Sequence, residues 1–290
     1  MKDFLEKQGK CILAMLIFGT IGIFVRLLAM PSSVIALVRG FVGVLFLFLV
    51  LLLKGQKVDF DAIRKNFLWI FVSGAFIGFN WILLFEAYRY TTVAVATLCY
   101  YMAPVIVILL SPIVQGERLT AKKMFCTLVA LCGMICISGV AEGGSDKAEG
   151  AWNLIGIGLG LGAALLYAAV ILINKKIEGV SGYDRTLSQI GIAALVLLPY
   201  TLFTCDFRTI VWKPESVFLL GVVGVVHTGI AYALYFEAVE KLPIQTTAIY
   251  SYIDPVTAVF LSVVLLNENL GILGMVGMIF ILGAAFLNDR

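Results

Sequence analysis

The chain is 290 residues long, 61% hydrophobic and only 13% charged, with a formal net charge of +3. So large an apolar share cannot be packed into the core of one water-soluble domain, and it excludes that class in favour of a membrane protein. The small positive balance is explained by cations clustered on one side of the membrane and implies no nucleic-acid partner.

A bilayer-crossing helix needs about 20 mostly apolar residues. Ten such spans are predicted, at 11–30, 33–53, 67–88, 92–114, 122–140, 151–173, 186–204, 215–238, 244–266 and 271–288. Their apolar runs are continuous and lack the alternation of a barrel strand, so the fold class is all-α integral membrane. Segments on the side of the N-terminus hold fifteen Lys and Arg, among them Lys54, Lys57, Arg64, Lys65, Lys122 and Lys123. The opposite side holds four, Arg89, Lys147, Arg208 and Lys213, which predicts both termini in the cytoplasm.

The first span follows "MKDFLEKQGK", whose charged and apolar pattern is that of a signal peptide. No A-x-A site follows and Arg26 interrupts the tail, so it is read as a retained helix, with Phe18 a weaker cavity candidate. In the second span Arg39 lies several residues inside the outer end, where it either snorkels or pairs with Glu86 at the outer end of the third. A structural or gating pair is the favoured reading. Asn80 and Trp81 in the third span offer an amide and a ring to a cavity, with plain packing equally open.

Halfway along the fourth span Pro104 removes a backbone N–H and clashes with the carbonyl of Tyr100, so a kink is expected beside Tyr100 and Tyr101. The sixth span begins "GIGLGLGAALLYAA" from Gly156. No polar turn precedes it, which argues against a phosphate loop, and Gly158 and Gly162 form a small-x-x-x-small face for close packing; Tyr167 follows. His227, the one histidine, lies about twelve residues into the eighth span and Asp254 about ten into the ninth, so at 1.5 Å per residue both sit near the midplane. Two ionisable groups at one depth invite pairing; Asp254 is read as a coupling or substrate-contacting acid ahead of a structural one that bonds freed backbone or His227, and His227 as either a titrating partner or a satisfied packing residue. Pro255 repeats the fourth-span device, clashing with the carbonyl of Ser251 between Tyr250 and Tyr252.

The six cysteines, Cys11, Cys99, Cys126, Cys132, Cys136 and Cys205, form no C-x-x-C pair or His/Cys ligand set and are read as packing residues. No metal and no cofactor are expected. The lone histidine and the lack of a nucleophile and base pattern make an enzyme the third-ranked class.

An internal repeat organises the chain. "GFNWILLFEAYRYTTVAVATLCYYMAPVIVILLSPIVQGE" from Gly78 aligns without a gap on "GIAYALYFEAVEKLPIQTTAIYSYIDPVTAVFLSVVLLNE" from Gly229. Glu86 falls on Glu237, Trp81 on Tyr232, Tyr101 on Tyr252, Pro104 on Pro255 and Glu117 on Glu268. Residues 1–140 and 151–290 are therefore two five-span halves joined by a polar linker at 141–150, and an odd span number makes the second half inverted. Glu86 and Glu237, like Glu117 and Glu268, then occupy opposite faces, as alternating gates or as solvated helix ends.

The doubled unit, with "APVIVILLSPIVQGERLT" and "DPVTAVFLSVVLLNENL", resembles the ten-span EamA type of the drug/metabolite transporter superfamily. The resemblance covers nearly the whole chain. It implies a central cavity lined by spans 1, 3, 4, 6, 8 and 9, a small metabolite carried often outward, and a bacterial inner membrane. Together these readings predict a secondary transporter of a small polar or amphipathic metabolite, with protons as the coupling ion and a cation as one substrate variant. A receptor or assembly subunit with the same fold is the alternative, as a monomer or homodimer.

Overall fold

The computed structural model describes residues 2–55, 58–115, 120–137, 147–210, 212–239, 242 and 250–289. Its regular elements are helical throughout the described residues. The first group runs α1 (Lys2–Leu27), α2 (Ser32–Leu53), the short α3 (Phe60–Lys65), α4 (Phe67–Tyr90), α5 (Val93–Tyr100), α6 (Ala103–Gln115) and α7 (Ala121–Ile137). The second runs α8 (Lys147–Asn174), α9 (Gly182–Thr204), α10 (Pro214–Val222), a π segment (Val223–Ile230), α11 (Ala231–Val239), α12 (Ile253–Leu266) and α13 (Gly271–Asp289).

Among the described residues seven helical stretches are long and apolar enough to cross a membrane, including Gln8–Leu27, Ser32–Leu53 and Pro214–Ala238. Three shorter apolar helices, Met124–Cys136, Ile253–Leu266 and Gly271–Ala284, lie within the fifth, ninth and tenth predicted spans. Residues 244–249 of the ninth lie outside the described residues. Large apolar side chains such as Leu53, Phe203, Phe218 and Ile272 stand exposed on the outside, which lipid tolerates and water does not. The chain is a multi-pass membrane protein.

Three predicted spans, the fourth, eighth and ninth, are not single α-helices among the described residues. The fourth is interrupted where a kink was expected: α5 ends at Tyr100 and α6 starts at Ala103, one residue before Pro104. A proline in the first turn of a new helix loses no hydrogen bond, whereas one in mid-helix does, so the chain restarts the helix instead of bending it. Pro255 likewise sits in the first turn of α12. The eighth span is α10, the π segment and α11 in sequence, the π turns falling on "VGVVHTGI".

The main packings are α4 on α8 and α9, α2 on α9 and on the π segment, α1 on α11 and α12, α5 on α8 and α12, and α7 on α13. Glycines let several of these helices touch backbone to backbone. A Cβ at Gly19 would fall 2.6 Å from the carbonyl oxygen of Asp254, which sets α1 against α12. On α8 the close face is Gly156 and Gly160, against Thr91 and Cys99, while Gly158 meets nothing within 4 Å. The expected Gly158 and Gly162 face is thus corrected by two residues. Both faces have the same i, i+4 spacing, and only the neighbours decide which one is used.

Candidate functional site

A cavity of about 310 Å³ lies among the helices. Eight of the ten predicted spans reach it: Phe18 from α1, Arg39 from α2, Trp81 from α4, Tyr100 and Pro104 from the broken fourth span, Tyr167 from α8, Ile190 from α9, Tyr232 from α11 and Asp254 from α12. The second and seventh spans join the six that the family resemblance implied. The fifth and tenth, α7 and α13, pack on each other away from it.

The break before Pro255 builds one polar wall. The Tyr101 hydroxyl lies 2.9 Å from Asp254 Oδ2 and 3.2 Å from the carbonyl oxygen of Ser251, the group a helix through Pro255 would have left without a donor. Tyr101 therefore answers two needs of one broken helix, and Asp254 faces the cavity with this hydroxyl as its donor. Tyr100 lies against Tyr167 with the rings tilted and their centroids 5.4 Å apart, and Tyr232 meets Phe18 edge to face at 5.1 Å. Asn80 lines the cavity, and its amide donates to the carbonyl of Ala163 at 2.6 Å, tying α4 to α8.

Arg39 is buried, only 5% exposed. Its Nε donates to Thr228 Oγ1 at 2.9 Å, and its guanidinium lies 4.3 Å above the Trp81 ring and 5.5 Å from that of Phe85. The expected pair with Glu86 is not formed. Glu86 instead meets Arg89 at 3.2 Å on its own helix end, because Arg39 turns inward from α2 toward the π segment while Glu86 stays at the end of α4. Stacking on Trp81 supplies about 0.5–2 kcal/mol. Removing an arginine into a membrane helix costs about 2.5–3.5 kcal/mol on insertion scales, so the ring alone does not offset the burial.

Asp254 and His227 do not pair either. His227 is buried outside the lining, with Nε2 2.8 Å from Thr20 Oγ1 and Nδ1 3.4 Å from the carbonyl oxygen of Val222. The π turns rotate it toward α1, where Phe24 covers its ring at 4.9 Å. Tyr250 packs on Cys11, Ala238 and Leu242, and Tyr252 on Phe286, so neither expected lining tyrosine reaches the cavity. Tyr235, Tyr88, Thr97 and Thr186 do line it and were not singled out from the sequence. Tyr235 lies one turn beyond Tyr232, the one signal that pointed to it.

The acidic helix ends differ. Glu237 takes Lys10 Nζ at 2.9 Å and Lys54 Nζ at 3.7 Å, joining α11 to α1 and α2. Glu268 reaches across to the start of α5, where its carboxylate accepts from the backbone N–H of Val93 at 2.9 Å and of Ala94 at 3.4 Å. Asn267 adopts φ 52° and closes α12 by donating its N–H to the Ser262 carbonyl, and this turn aims Glu268 at α5. Burial pushes the Glu268 carboxyl above its usual range, and the two backbone donors oppose that shift. Glu117 lies outside the described residues.

A sequence profile described as the EamA-like transporter family matches residues 10–139 and 154–288. The chain is 30% identical over 259 residues to the "Uncharacterized transporter YxxF" of Bacillus subtilis (strain 168), covering 88% of this chain and 80% of that protein. It is 26% identical to an "Uncharacterized transporter" of Archaeoglobus fulgidus over 98% of this chain and 96% of the relative. "Protein RarD" of Escherichia coli (strain K12) is also 26% identical, over 72% of this chain and 67% of its own length. A solved crystal structure, 19% identical, superposes with a TM-score of 0.65 over 97% of this chain and 96% of that one, a likeness of fold. With both of its halves matched and its helices enclosing one aromatic cavity, the chain belongs to the EamA-like transporter family of the drug/metabolite transporter superfamily.

Proposed function

We propose that this protein is a secondary active transporter, not an enzyme, that exports a small polar or amphipathic metabolite from a bacterial cell by alternating access. Its ten spans form two inverted five-span halves, residues 1–140 and 151–290, with both termini in the cytoplasm. The main helix packings support this, because exchanging spans 1 to 5 with 6 to 10 turns α4 on α9 into the π segment on α2, and α1 on α12 into α8 on α5 and α6. Two halves of one build make the two facing states close in energy, which is what rocking around a central site requires.

The observation that carries the reading is a half-buried carboxylate, Asp254, facing a cavity that both halves line at the level of two helix breaks. An acid at mid-membrane depth is costly and supports a coupling role, with a proton exchanged there in each cycle. In vesicles, Asp254→Asn is expected to abolish flux driven by a pH gradient, by about 100-fold or more, while substrate exchange without a gradient persists. Gradient-driven flux that survives in this variant at a matched amount of folded protein would remove Asp254 from coupling.

A further inference from the structure

A second pocket, of about 370 Å³, opens where α1 and α4 end, and it shares no lining residue with the central cavity. Two arginines line it, Arg26 from the last turn of α1 and Arg89 from the last turn of α4, over a floor of Val25, Leu28, Met30 and Ile210. No carboxylate is among the described residues that line it. Arg26 Nη1 donates to the carbonyl oxygens of Tyr88 and Thr91, which finishes the end of α4, while its Nε and Nη2 bond no described residue. Glu268 acts on Arg26 through space but is bound to the backbone of α5. Arg89 is exposed and gives one nitrogen to Glu86 at 3.2 Å. Each guanidinium therefore keeps donors for a ligand.

Ordinary reasons for an arginine do not bring these two together. This end of the molecule is the one whose loops are poor in Lys and Arg, so the rule that gathers cations on one face does not account for them. The repeat does not ask for a cation either, because Arg89 falls on Glu240 in the other half. Capping α4 occupies one nitrogen of Arg26, and an exposed pair at i, i+3 contributes little, so neither role needs the two forks to meet. The depth is that of a lipid headgroup. Tyr90, the neighbour of Arg89, stacks on the exposed Trp152 at 5.2 Å, an aromatic pair of the kind that marks a membrane surface. Leu27, next to Arg26, is apolar and exposed, a surface for an acyl chain.

We infer that this pocket binds a membrane phospholipid, its phosphodiester between Arg26 and Arg89 and its acyl chains along Leu27. The planar fork of an arginine matches two oxygens of a phosphate, and a second fork serves the same group from the other side. A volume of about 370 Å³ takes a phosphoglycerol head and leaves the acyl chains outside. In the topology proposed above, the lipid belongs to the outer leaflet. The site does not depend on the transporter reading, which concerns the central cavity.

The test uses the purified full chain in detergent and reads its thermal unfolding with three probes. These are dioleoylphosphatidylglycerol, dioleoylglycerol, which has the same chains without the phosphate, and glycerol phosphate, the head without the chains. The phospholipid is expected to raise the unfolding temperature and to bind about tenfold or more tightly than either of the others. In Arg89→Gln the advantage over dioleoylglycerol is expected to fall about tenfold. Glu86→Gln releases Arg89 from its pair and is expected to hold or raise that advantage, and Lys65→Gln, before the opposite end of α4, to leave it unchanged. Arg26→Gln should lose it as well; because Arg26 also caps α4 and this variant can fail to fold, Arg89→Gln carries the test by itself.

A phospholipid that stabilises no more than dioleoylglycerol overturns the inference, as does full binding by Arg89→Gln. Glycerol phosphate that binds as well as the phospholipid would make the occupant a free oxyanion and remove the lipid. An equal loss in Lys65→Gln would show that binding follows net charge and not this pocket.

Discussion

At the residue scale, the polar side chains divide into those that face the cavity and those that only finish a helix end, and the two groups should respond differently to substitution. Glu86 meets Arg89 three residues on, an exposed contact of the kind that contributes about 0.3–0.5 kcal/mol. Glu86→Gln is therefore expected to leave both the melting temperature and the flux unchanged. Glu268 accepts two backbone N–H groups that α5 leaves without helical partners, and losing such a cap costs about 0.5–2 kcal/mol. Glu268→Ala should lower the melting temperature of the purified protein, while Glu268→Gln, which keeps an acceptor oxygen, should lower it less; equal losses would point to charge rather than capping.

The same division marks what the sequence reveals of the site. Asp254, Tyr101, Trp81 and Asn80 stood out because polar or amphipathic groups are expensive in an apolar run. Tyr250 and Tyr252 stood out equally and turned elsewhere. Around a broken helix the direction of a side chain depends on where the second helix restarts, and no residue type encodes that. His227 found Thr20, 207 positions away, and a contact of that separation is not visible in one sequence.

At the element scale, close approach is carried by particular glycines. Gly156 lies on the buried face of α8, where an added Cβ would come within 2.6 Å of the Thr91 side chain. Gly158, two residues on, is exposed and meets nothing. Alanine favours a helix over glycine by about 1 kcal/mol, so Gly158→Ala should hold or raise the melting temperature. Gly156→Ala must push α8 from the end of α4 and should lower it, and a rise in both variants would show that α8 does not pack as described. Spacing predicts that a small-residue face exists on this helix; the neighbours choose between two such faces.

The π segment is the other element that periodicity does not announce. Its Gly224 and Gly229 let Val42 and Phe46 of α2 approach to distances no Cβ permits. The extra residue in each turn brings His227 toward Phe24 and Thr228 toward Arg39. A regular α-helix through 223–230 would aim them differently, which is why the expected meeting of His227 and Asp254 does not occur.

At the scale of the whole molecule, the contacts that tie the two halves are unlike at the two ends. Glu237 holds Lys10 and Lys54 at one, and Glu268 holds the backbone of α5 at the other. In the topology proposed above the lysine cluster lies on the cytoplasmic side. Glu237→Gln removes the carboxylate that ties Lys54 to Lys10, leaving Lys10 with Glu6 alone, and should favour the state open to that side. A cysteine at Ala258, in a chain whose six native cysteines are replaced, should then react several-fold faster with a membrane-impermeant thiol reagent added from the cytoplasm. An unchanged rate would mean that the cluster only decorates the helix ends.

The apolar runs, their length, the repeat and the family likeness were all present in the sequence. Each depends on residues near one another in the chain or on a pattern copied once along it, and membrane insertion reads the same hydrophobic pattern. Where Arg39 points, which glycines touch and which tyrosines share a cavity with Asp254 were decided by tertiary structure. These depend on helix rotation and on where two broken helices restart. Both are set by the packing of ten predicted spans against one another, a balance of small contacts that no single span contains.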